Sequence, residues 1–560
     1  VNDHATGIKF AASTVGGALS ATAEAGHITD EVGGVLRITG ASTFTVAAGQ
    51  SILLTESSTF AAVEFAASGV GGVLLDVEIN DSNAFELQTL TVTRDLTVTA
   101  GDDITDDGTV TVGRNLAATT DASDGVITLN ELAVTGSIAL NTHGSGAATV
   151  VNNAAIELAA STVGGALSAT ATTGDITDSG ALVITGLTTL VPGSSDDVIL
   201  DHTSNDFRGG LIVTSGTDVR LVSAGAIDLG ELTTAGDLTV TAGGDITDSD
   251  TVTVGGDLAA TTNANNGVID LGTLAVTGSI ALATHGNGDA TVVNATGIEF
   301  AASDVNRNLS ATATTGTITQ SGALDIEGTT TLVTAAQGQA IVLGTATNAF
   351  TGAVTITTND NSSPGPVDGT YAAHVTIDGG TTQLRIAAST IDGDLTLRSG
   401  NASGIIDDGT VTVAGDLAAT TNANSGVINL DTLAVDGTIA LVTDNNGAAT
   451  VVNDAGLNFA TSTVGGALSA RAASGNMTQS GALDIEGTTT LVTTAEGATI
   501  VLGTSTNAFT GAVTITTNDN VSPEDGTYAA DVTIDGGTTL LRIAASTIDG
   551  DLTLRSGNAS

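Results

Sequence analysis

Residues 236 to 262 read GDLTVTAGGDITDSDTVTVGGDLAATT, and this stretch indicates the fold. The tripeptide Gly-Asp-Leu at 236–238 returns at 256–258. Between the two copies, apolar residues alternate with Thr or Ala, and the β-branched types Val, Ile and Thr dominate. Alternation with period two, punctuated by Gly and Asp, is typical of short β-strands separated by turns. The stretch therefore predicts one strand that is repeated at a nearly fixed interval.

The composition of the 560-residue chain limits what its core can contain. The chain has no Cys, no Trp, one Met, 10 Phe and 72 Gly, yet 41% of its residues are hydrophobic. It is too apolar to be disordered, but it lacks the bulky residues of a large globular core. We therefore expect a thin interior of Leu, Val, Ile and Ala, without disulfides.

Acidic residues dominate the charge of the chain. There are 61 Asp and Glu residues against 12 Lys and Arg, which gives a formal net charge of -49. This charge disfavours binding to nucleic acid or to an anionic membrane, and it suits an extracellular surface or the binding of cations. No apolar run is long enough to span a bilayer, and no signal peptide is evident. We expect the chain to be a processed piece of a longer protein.

The predicted strand starts form a series of apolar positions along the whole chain. Most successive starts are 20 to 29 residues apart. Two long steps, from Ile138 to Leu167 and from Val354 to Leu395, predict a coil with an inserted loop or one irregular extra coil. The predicted starts are Leu19, Phe44, Val73, Leu96, Leu116, Ile138, Leu167, Leu190, Ile212, Leu238, Leu258, Ile280, Leu309, Leu332, Val354, Leu395, Leu417, Ile439, Leu468, Leu491, Val513 and Leu552.

A longer period overlies the short one. The motif STVGGALSAT at Ser13 recurs at Ser161, as SDVNRNLSAT at Ser303 and as STVGGALSAR at Ser462, with offsets of 148, 142 and 159. These copies predict one continuous array, of which this chain is a window. The predicted long repeats are 1–150, 151–292, 293–451 and 452–560, the last of them truncated.

The two periods together predict an all-β, right-handed parallel β-solenoid of about 24 coils. Inward positions of successive coils would form aliphatic stacks, which explains the scarcity of aromatic residues. The alternative fold is a string of immunoglobulin-like β-sandwiches, one per long repeat. Sandwiches bury larger anchors and space their strands unequally, whereas the short period here runs through every long repeat without a linker.

Several motifs resemble a known class of bacterial surface proteins. The stretches GDLTVTAGGDIT, GALSATATTGDITDSGALVITG and GSIALATHGNGDATV are similar to the haemagglutinin-type repeats of filamentous-haemagglutinin-like exoproteins and giant surface adhesins. This resemblance covers nearly the whole chain. It implies export, a rod held at or beyond the cell surface, and adhesive or structural work.

Clustered carboxylates are the clearest pattern that suggests site chemistry. Parallel β-helix enzymes that cleave polysaccharides use such clusters, but here the clusters recur from repeat to repeat, so we predict no catalytic residue. Asp237 and Asp257 fall at the same phase of consecutive coils, where like charges about 4.8 Å apart repel one another. Salt can screen this repulsion between the acids. Alternatively, calcium, which is the one cofactor that we predict, binds to the oxygen atoms of acidic residues in the turns. The candidate calcium ligands are Asp106, Asp107, Asp248, Asp250, Asp407 and Asp408.

These observations predict an architectural function. We expect an extracellular β-solenoid rod that forms part of a cell-surface fibre, sheath or adhesin stalk and self-associates end to end or side by side. One alternative is an adhesin that binds a cell-surface glycan or protein through inserted loops, of which Asn359 to Tyr371 is the plainest. A second alternative is a polysaccharide-degrading β-helix enzyme. Deletion of the loop would abolish binding by the adhesin, and changing the acids of one repeat alone would abolish turnover by the enzyme.

Overall fold

The computed structural model describes residues 2–3, 6–359, 372–518 and 529–557, and the chain divides into two compact units. The first unit is Val1–Gly278 and the second is Ser279–Ser560. Each unit is a parallel β-solenoid, and the two together comprise about 25 turns. Immunoglobulin-like sandwiches are therefore the wrong alternative, because those folds pair their strands antiparallel. The described ranges contain no helix, and so none that could span a membrane.

The first unit contains β1 (Asn2–Asp3), β2 (Ile8–Phe10), β3 (Ser13–Val15), β4 (Leu19–Ala23), β5 (Ile28–Asp30), β6 (Leu36–Ile38), β7 (Ala41–Ala47), β8 (Ile52–Ser58), β9 (Ala62–Ser68), β10 (Val77–Asp81), β11 (Phe85–Val92), β12 (Leu96–Ala100), β13 (Ile104–Val112), β14 (Leu116–Ser123), β15 (Ile127–Val134), β16 (Ser137–His143), β17 (Ala148–Asn152), β18 (Ile156–Leu158), β19 (Ser161–Val163), β20 (Leu167–Ala171), β21 (Ile176–Asp178), β22 (Leu182–Ile184), β23 (Thr188–Val191), β24 (Val198–Leu200), β25 (Asp206–Phe207), β26 (Gly210–Val213), β27 (Val219–Ser223), β28 (Ile227–Thr234), β29 (Leu238–Ala242), β30 (Ile246–Asp248), β31 (Val252–Val254), β32 (Leu258–Thr262) and β33 (Ile269–Val276).

The second unit contains β34 (Ser279–Ala283), β35 (Ala290–Asn294), β36 (Ile298–Phe300), β37 (Ser303–Val305), β38 (Leu309–Ala313), β39 (Ile318–Gln320), β40 (Leu324–Ile326), β41 (Thr330–Gln337), β42 (Ile341–Leu343), β43 (Ala349–Phe350), β44 (Val354–Asn359), β45 (Val375–Asp378), β46 (Leu384–Ile391), β47 (Leu395–Ser399), β48 (Ile405–Val413), β49 (Leu417–Asn424), β50 (Ile428–Val435), β51 (Thr438–Asp444), β52 (Ala449–Asn453), β53 (Leu457–Phe459), β54 (Ser462–Val464), β55 (Leu468–Ala472), β56 (Met477–Gln479), β57 (Leu483–Ile485), β58 (Thr489–Thr493), β59 (Ile500–Leu502), β60 (Ala508–Phe509), β61 (Ala512–Thr516), β62 (Val532–Asp535), β63 (Arg542–Ile543) and β64 (Leu552–Arg555).

Strands of the first unit lie on two faces of each coil. Face 1 holds β8, β10, β12, β14 and β16, and face 2 holds β11, β13, β15 and β17, with successive strands of a face paired in parallel. Side chains alternate between core and solvent along each strand. The predicted neighbours Leu238 and Leu258 confirm this arrangement, because they pair in register on face 1 and both are buried.

From Val77 to Val219 in the first unit, the chain starts an equivalent segment on the opposite face every 71 residues. Val77 begins β10 on face 1, Ala148 begins β17 on face 2, and Val219 begins β27 on face 1 again. Between β10 and β17 the strands alternate between the two faces, so the two starts are separated by seven half-coils. Each 71-residue segment therefore makes three and a half turns, and two segments return the chain to its original face.

This alternation corrects the predicted series of strand starts, which belongs to more than one stack. Ile138 pairs with Leu158 on face 1, whereas Leu167 pairs with Ala148 on face 2. The step from Ile138 to Leu167 therefore joins two ordinary coils, and the inserted loop or extra coil predicted there is wrong. A pattern of period two does not reveal which face of a coil a strand occupies.

The second long step also joins two stacks, within the second unit. Val354 pairs with Ile386, whereas Leu395 pairs with Val375 in a different stack. The coil from Val354 to Ile386 includes residues 360–371, which lie outside the described residues, so of the predicted loop only its first residue, Asn359, is described.

Four predicted starts are not buried: Leu19 and Leu552 belong to coils near the two ends of the described chain, and the other two do not point into the core. Val73 lies in the loop before β10 and is 37% exposed. Ile212 is half-buried, between the buried Leu211 and Val213. Three consecutive apolar residues fit period two in either register, which is why the inward pair could not be chosen from sequence.

Buried asparagines hold the corners where the chain passes from one face to the other. Asn152 is completely buried, and its Nδ2 donates to the carbonyl oxygens of Val134 (3.0 Å) and Ala155 (2.7 Å). Its Oδ1 accepts the backbone N–H of Val134 at 2.9 Å. In the second unit Asn453 bonds in the same way to Val435. One amide side chain thus satisfies backbone groups that the sheet leaves unpaired at each corner.

We expect Asn152→Ala to destabilise its coil by about 2–4 kcal/mol, because the buried N–H and carbonyl of Val134 and the part-buried carbonyl of Ala155 lose their partner. Amide hydrogen exchange should show faster exchange at Val134 and its neighbours, while distant coils keep their protection. Asn153→Ala is the matched control, because Asn153 is exposed and only its backbone is bonded. Equal exchange in the two variants would contradict the corner role.

Candidate functional site

A row of aspartates at the turns of the first unit connects five successive coils. The backbone N–H of each aspartate donates to the Oδ1 of the aspartate one coil earlier, at 2.8–2.9 Å. The members of this aspartate ladder are Asp175, Asp197, Asp218, Asp237 and Asp257. In the second unit the N–H of Asp416 donates to Asp394 Oδ1 at 2.8 Å. The like-charged residues predicted to share a phase are therefore linked through backbone N–H groups, which offset part of their repulsion.

A second set of aspartates occupies the third position of the motif Ile-Thr-Asp or Ile-Ile-Asp. Each of these aspartates accepts hydrogen bonds with both of its carboxylate oxygens. Asp106 accepts the N–H groups of Asn130 (3.0 Å) and Glu131 (2.8 Å) in the next coil. Asn130 and Glu131 are both exposed, so the regular alternation of β15 is broken where the chain bends. Their two N–H groups fall outside the regular pairing of β13 and β15, and the carboxylate binds both of them. We call Asp30, Asp106, Asp178, Asp248 and Asp407 the bridging aspartates.

Three of the six predicted calcium ligands are bridging aspartates. Asp248 accepts the N–H groups of Gly272 (2.8 Å) and Thr273 (2.7 Å). Asp407 accepts those of Asp431 (3.0 Å) and Thr432 (2.7 Å). With Asp106, these residues each direct both oxygens towards the protein backbone.

The other three predicted ligands have different surroundings. Asp107 is exposed, and its carboxylate makes no hydrogen bond within the described part of the chain. Asp250 Oδ1 accepts the N–H of its own neighbour Thr251 at 2.7 Å. Asp408 forms an ion pair with Arg385. No group of three or more His, Asp or Glu side chains suited to a metal ion occurs among the described residues. Calcium binding at the six aspartates stays a prediction.

One turn aspartate has a lowered pKa. Asp124 adopts a left-handed conformation with φ of 78°, which short polar residues tolerate. Its Oδ1 accepts the hydroxyl of Ser145 at 2.6 Å and the N–H of Ser145 at 2.8 Å. These bonds, the hydroxyl first, hold the pKa of Asp124 below its usual value. His143 lies beside this turn, and its Nδ1 is 2.6 Å from the carbonyl oxygen of Thr120. Both side chains therefore contribute to the turn itself.

The sequence reasoning missed what most of these polar residues contact. It placed Asp237 and Asp257 at one phase, but it did not assign the bridging aspartates or the corner asparagines to backbone groups of the neighbouring coil. Signals for both are present: Ile-Thr-Asp recurs before a bend, and Ala-Thr-Val-Val-Asn recurs with Asn152 and Asn453 at its end. Recurrence of a polar residue at a strand end can therefore indicate a structural bond between coils.

The fold defines this chain as a parallel β-solenoid repeat protein. It belongs to the family described as Repeats of unknown function (DUF5649), which matches residues 1–65, 75–141, 145–214, 216–275, 287–357 and 446–516. No curated protein and no solved structure matches the chain. In the first unit the later matches begin at 75, 145 and 216, close to the starts of β10, β17 and β27. One family repeat thus corresponds to three and a half turns.

We expect Asp106→Asn to destabilise the corner of β15 by about 1–3 kcal/mol, because an amide can accept only one of the two N–H groups. Hydrogen exchange at Asn130 and Glu131 is the direct measurement. Asp107→Asn removes the same charge from the adjacent residue and should leave this exchange unchanged. A similar effect of both variants would show that charge, and not the bridging geometry, stabilises the corner.

Calcium binding at the six predicted ligands would raise the thermal midpoint of the full chain by several degrees in millimolar calcium, compared with excess chelator at equal ionic strength. Magnesium should not reproduce the rise, because it demands a smaller octahedral site. An unchanged midpoint would reject these sites.

Proposed function

We propose that this chain is a structural segment of an extracellular β-solenoid rod, part of a cell-surface fibre, sheath or adhesin stalk. The observation that carries the proposal is the use of polar side chains to join one coil to the next. The aspartate ladder, the bridging aspartates and the corner asparagines all bond to backbone groups of neighbouring coils. Hydrogen bonds that recur between coils in this way stabilise the whole stack and oppose local unfolding of single coils.

The surface of the chain supports an extracellular position. Its net charge of -49 keeps such a protein soluble, and six of its eleven arginines form ion pairs with acids in the described part of the chain, as Arg94 does with Asp76 and Arg307 with Asp289. The motifs that resemble filamentous-haemagglutinin-like exoproteins support export. We propose no catalytic activity, because the repeated carboxylates are bound to backbone N–H groups.

Adhesion and self-association are the finer parts of this proposal. An adhesive role would place receptor binding in the segment Asn359 to Tyr371, which the sequence predicts as an inserted loop, and a fibre role requires contacts between copies, end to end or side by side. The receptor would be a cell-surface glycan or protein.

The proposal predicts that an antibody raised against the purified chain labels intact, unpermeabilised cells of the source organism. Immunogold electron microscopy should place the label on or beyond the outer surface, while an antibody against a cytosolic protein labels only permeabilised cells. Labelling by both antibodies only after permeabilisation would overturn the extracellular assignment.

A further inference from the structure

In the first unit the pairing of successive coils is interrupted between β9 and β11. β9 pairs with β7 and ends one sheet, and β11 pairs with β13 and begins the next, so among the described strands β9 and β11 are not paired. On face 1 the pairing from β8 through β10 to β12 is continuous. Two neighbouring coils are therefore paired on one side and unpaired on the other, and a cleft lies beside β9 and β11.

This cleft is a cavity of about 670 Å³ with an aromatic lining. Phe60, Phe65 and Phe85 line it, and Phe44 lies behind them, with ring centroids 6.0 Å from Phe60 and 6.3 Å from Phe65. With Phe10, five of the 10 phenylalanines of the chain lie within its first 85 residues. The aromatic residues are thus concentrated where the coils separate.

Two buried polar residues that line the cavity lack part of their hydrogen bonding. Ser42 is 1% exposed, and its Oγ has no hydrogen-bond partner among the described residues, which also holds for the hydroxyls of Thr188, Thr330 and Thr489. Asp81 is 2% exposed; its Oδ1 accepts the N–H groups of Phe60 (3.3 Å) and Asn83 (3.1 Å), while its Oδ2 has no protein partner among the described residues. Burial raises the pKa of Asp81, and the two N–H groups oppose that rise only in part. A buried carboxylate without a counter-charge is costly.

The charge of the lining is entirely negative. Besides Asp81, the acids Glu64, Glu86 and Asp103 line the cavity, and no Lys, Arg or His is among its described lining residues. Aromatic rings and carboxylates together favour a cation whose body is apolar. A donor on that cation would satisfy Asp81 Oδ2.

We infer that this cleft binds a small primary amine in its ammonium form, with an apolar body that packs against Phe60, Phe65 and Phe85. The ammonium group donates to Asp81, and the acids at the rim attract it. An inserted β-strand fits less well. It would need β9 and β11 about two strand spacings apart, roughly 9.5 Å, whereas continuous pairing on face 1 holds these coils one spacing apart.

The test uses the full 560-residue chain and isothermal titration calorimetry at about 0.15 M salt, which screens long-range attraction. Phenethylammonium is the probe, and 2-phenylethanol is its neutral analogue of similar shape. We expect the ammonium to bind at least about tenfold more tightly than the alcohol. Equal affinity for the two, or binding of neither, would overturn the inference.

Variants locate the binding to the cleft. Asp81→Asn should weaken phenethylammonium binding by about tenfold or more, and Asp270→Asn, which removes an exposed acid away from the cavity, should leave it within about twofold. An equal loss in both would show non-specific attraction to a charge of -49 and overturn the site. The N-trimethyl form of phenethylammonium cannot donate to Asp81 Oδ2 and should bind less tightly than the primary ammonium; equal affinity of the two would contradict a hydrogen bond to Asp81.

A second variant and two other probes also test whether the cleft binds an amine. If Asp81→Asn fails to fold, the double variant Glu64→Gln/Glu86→Gln replaces it, because both residues are exposed at the rim, and it should weaken binding at least about threefold. No loss in that variant would overturn the proposal. So would binding of an extended peptide or of maltotriose in the absence of any amine binding.

Discussion

Parallel, in-register pairing between coils is the constraint on which the rest of this structure depends. Each residue lies next to the residue at the same position of the neighbouring coil. Side chains of the same type therefore often contact one another along the stack. Aliphatic residues gain from this arrangement, since Leu238 meets Leu258 in a dry interior. Carboxylates stacked in this way repel one another. The chain offsets this repulsion with hydrogen bonds from backbone N–H groups, such as the bond from the N–H of Asp257 to the carboxylate of Asp237.

The sequence was sufficient to predict the class of fold but not the path of each coil. Period two and the 20-residue return of Gly-Asp-Leu predicted strands, their parallel stacking and the burial of Leu238 and Leu258. The same text could not assign a face, because GDLTV on one face and GALSA on the other follow one pattern. The step from Ile138 to Leu167 was therefore misread, since only pairing distinguishes Leu158 from Leu167 as the neighbour of Ile138.

The polar residues were located from sequence more successfully than they were explained. Recurrence showed that Asp106 and Asp248 belong to the repeat, which argued against a single catalytic cleft. Their partners are N–H groups more than twenty residues away, exposed by a bend that no local pattern marks. The cavity beside Phe65 was beyond reach for a related reason: it exists because two strands fail to pair, and a failure to pair leaves no periodic signal.

Each family repeat makes three and a half turns, and the extra half-turn affects how a partner can bind along the first unit. Seven half-coils is an odd number, so consecutive copies present equivalent surfaces in opposite directions. A partner that binds one side of the stack would contact equivalent surfaces only at every second copy. These surfaces are seven coils, or roughly 34 Å, apart. Gain or loss of a single copy would turn every later surface of the same stack to the other side, whereas gain or loss of a pair would preserve the direction of each.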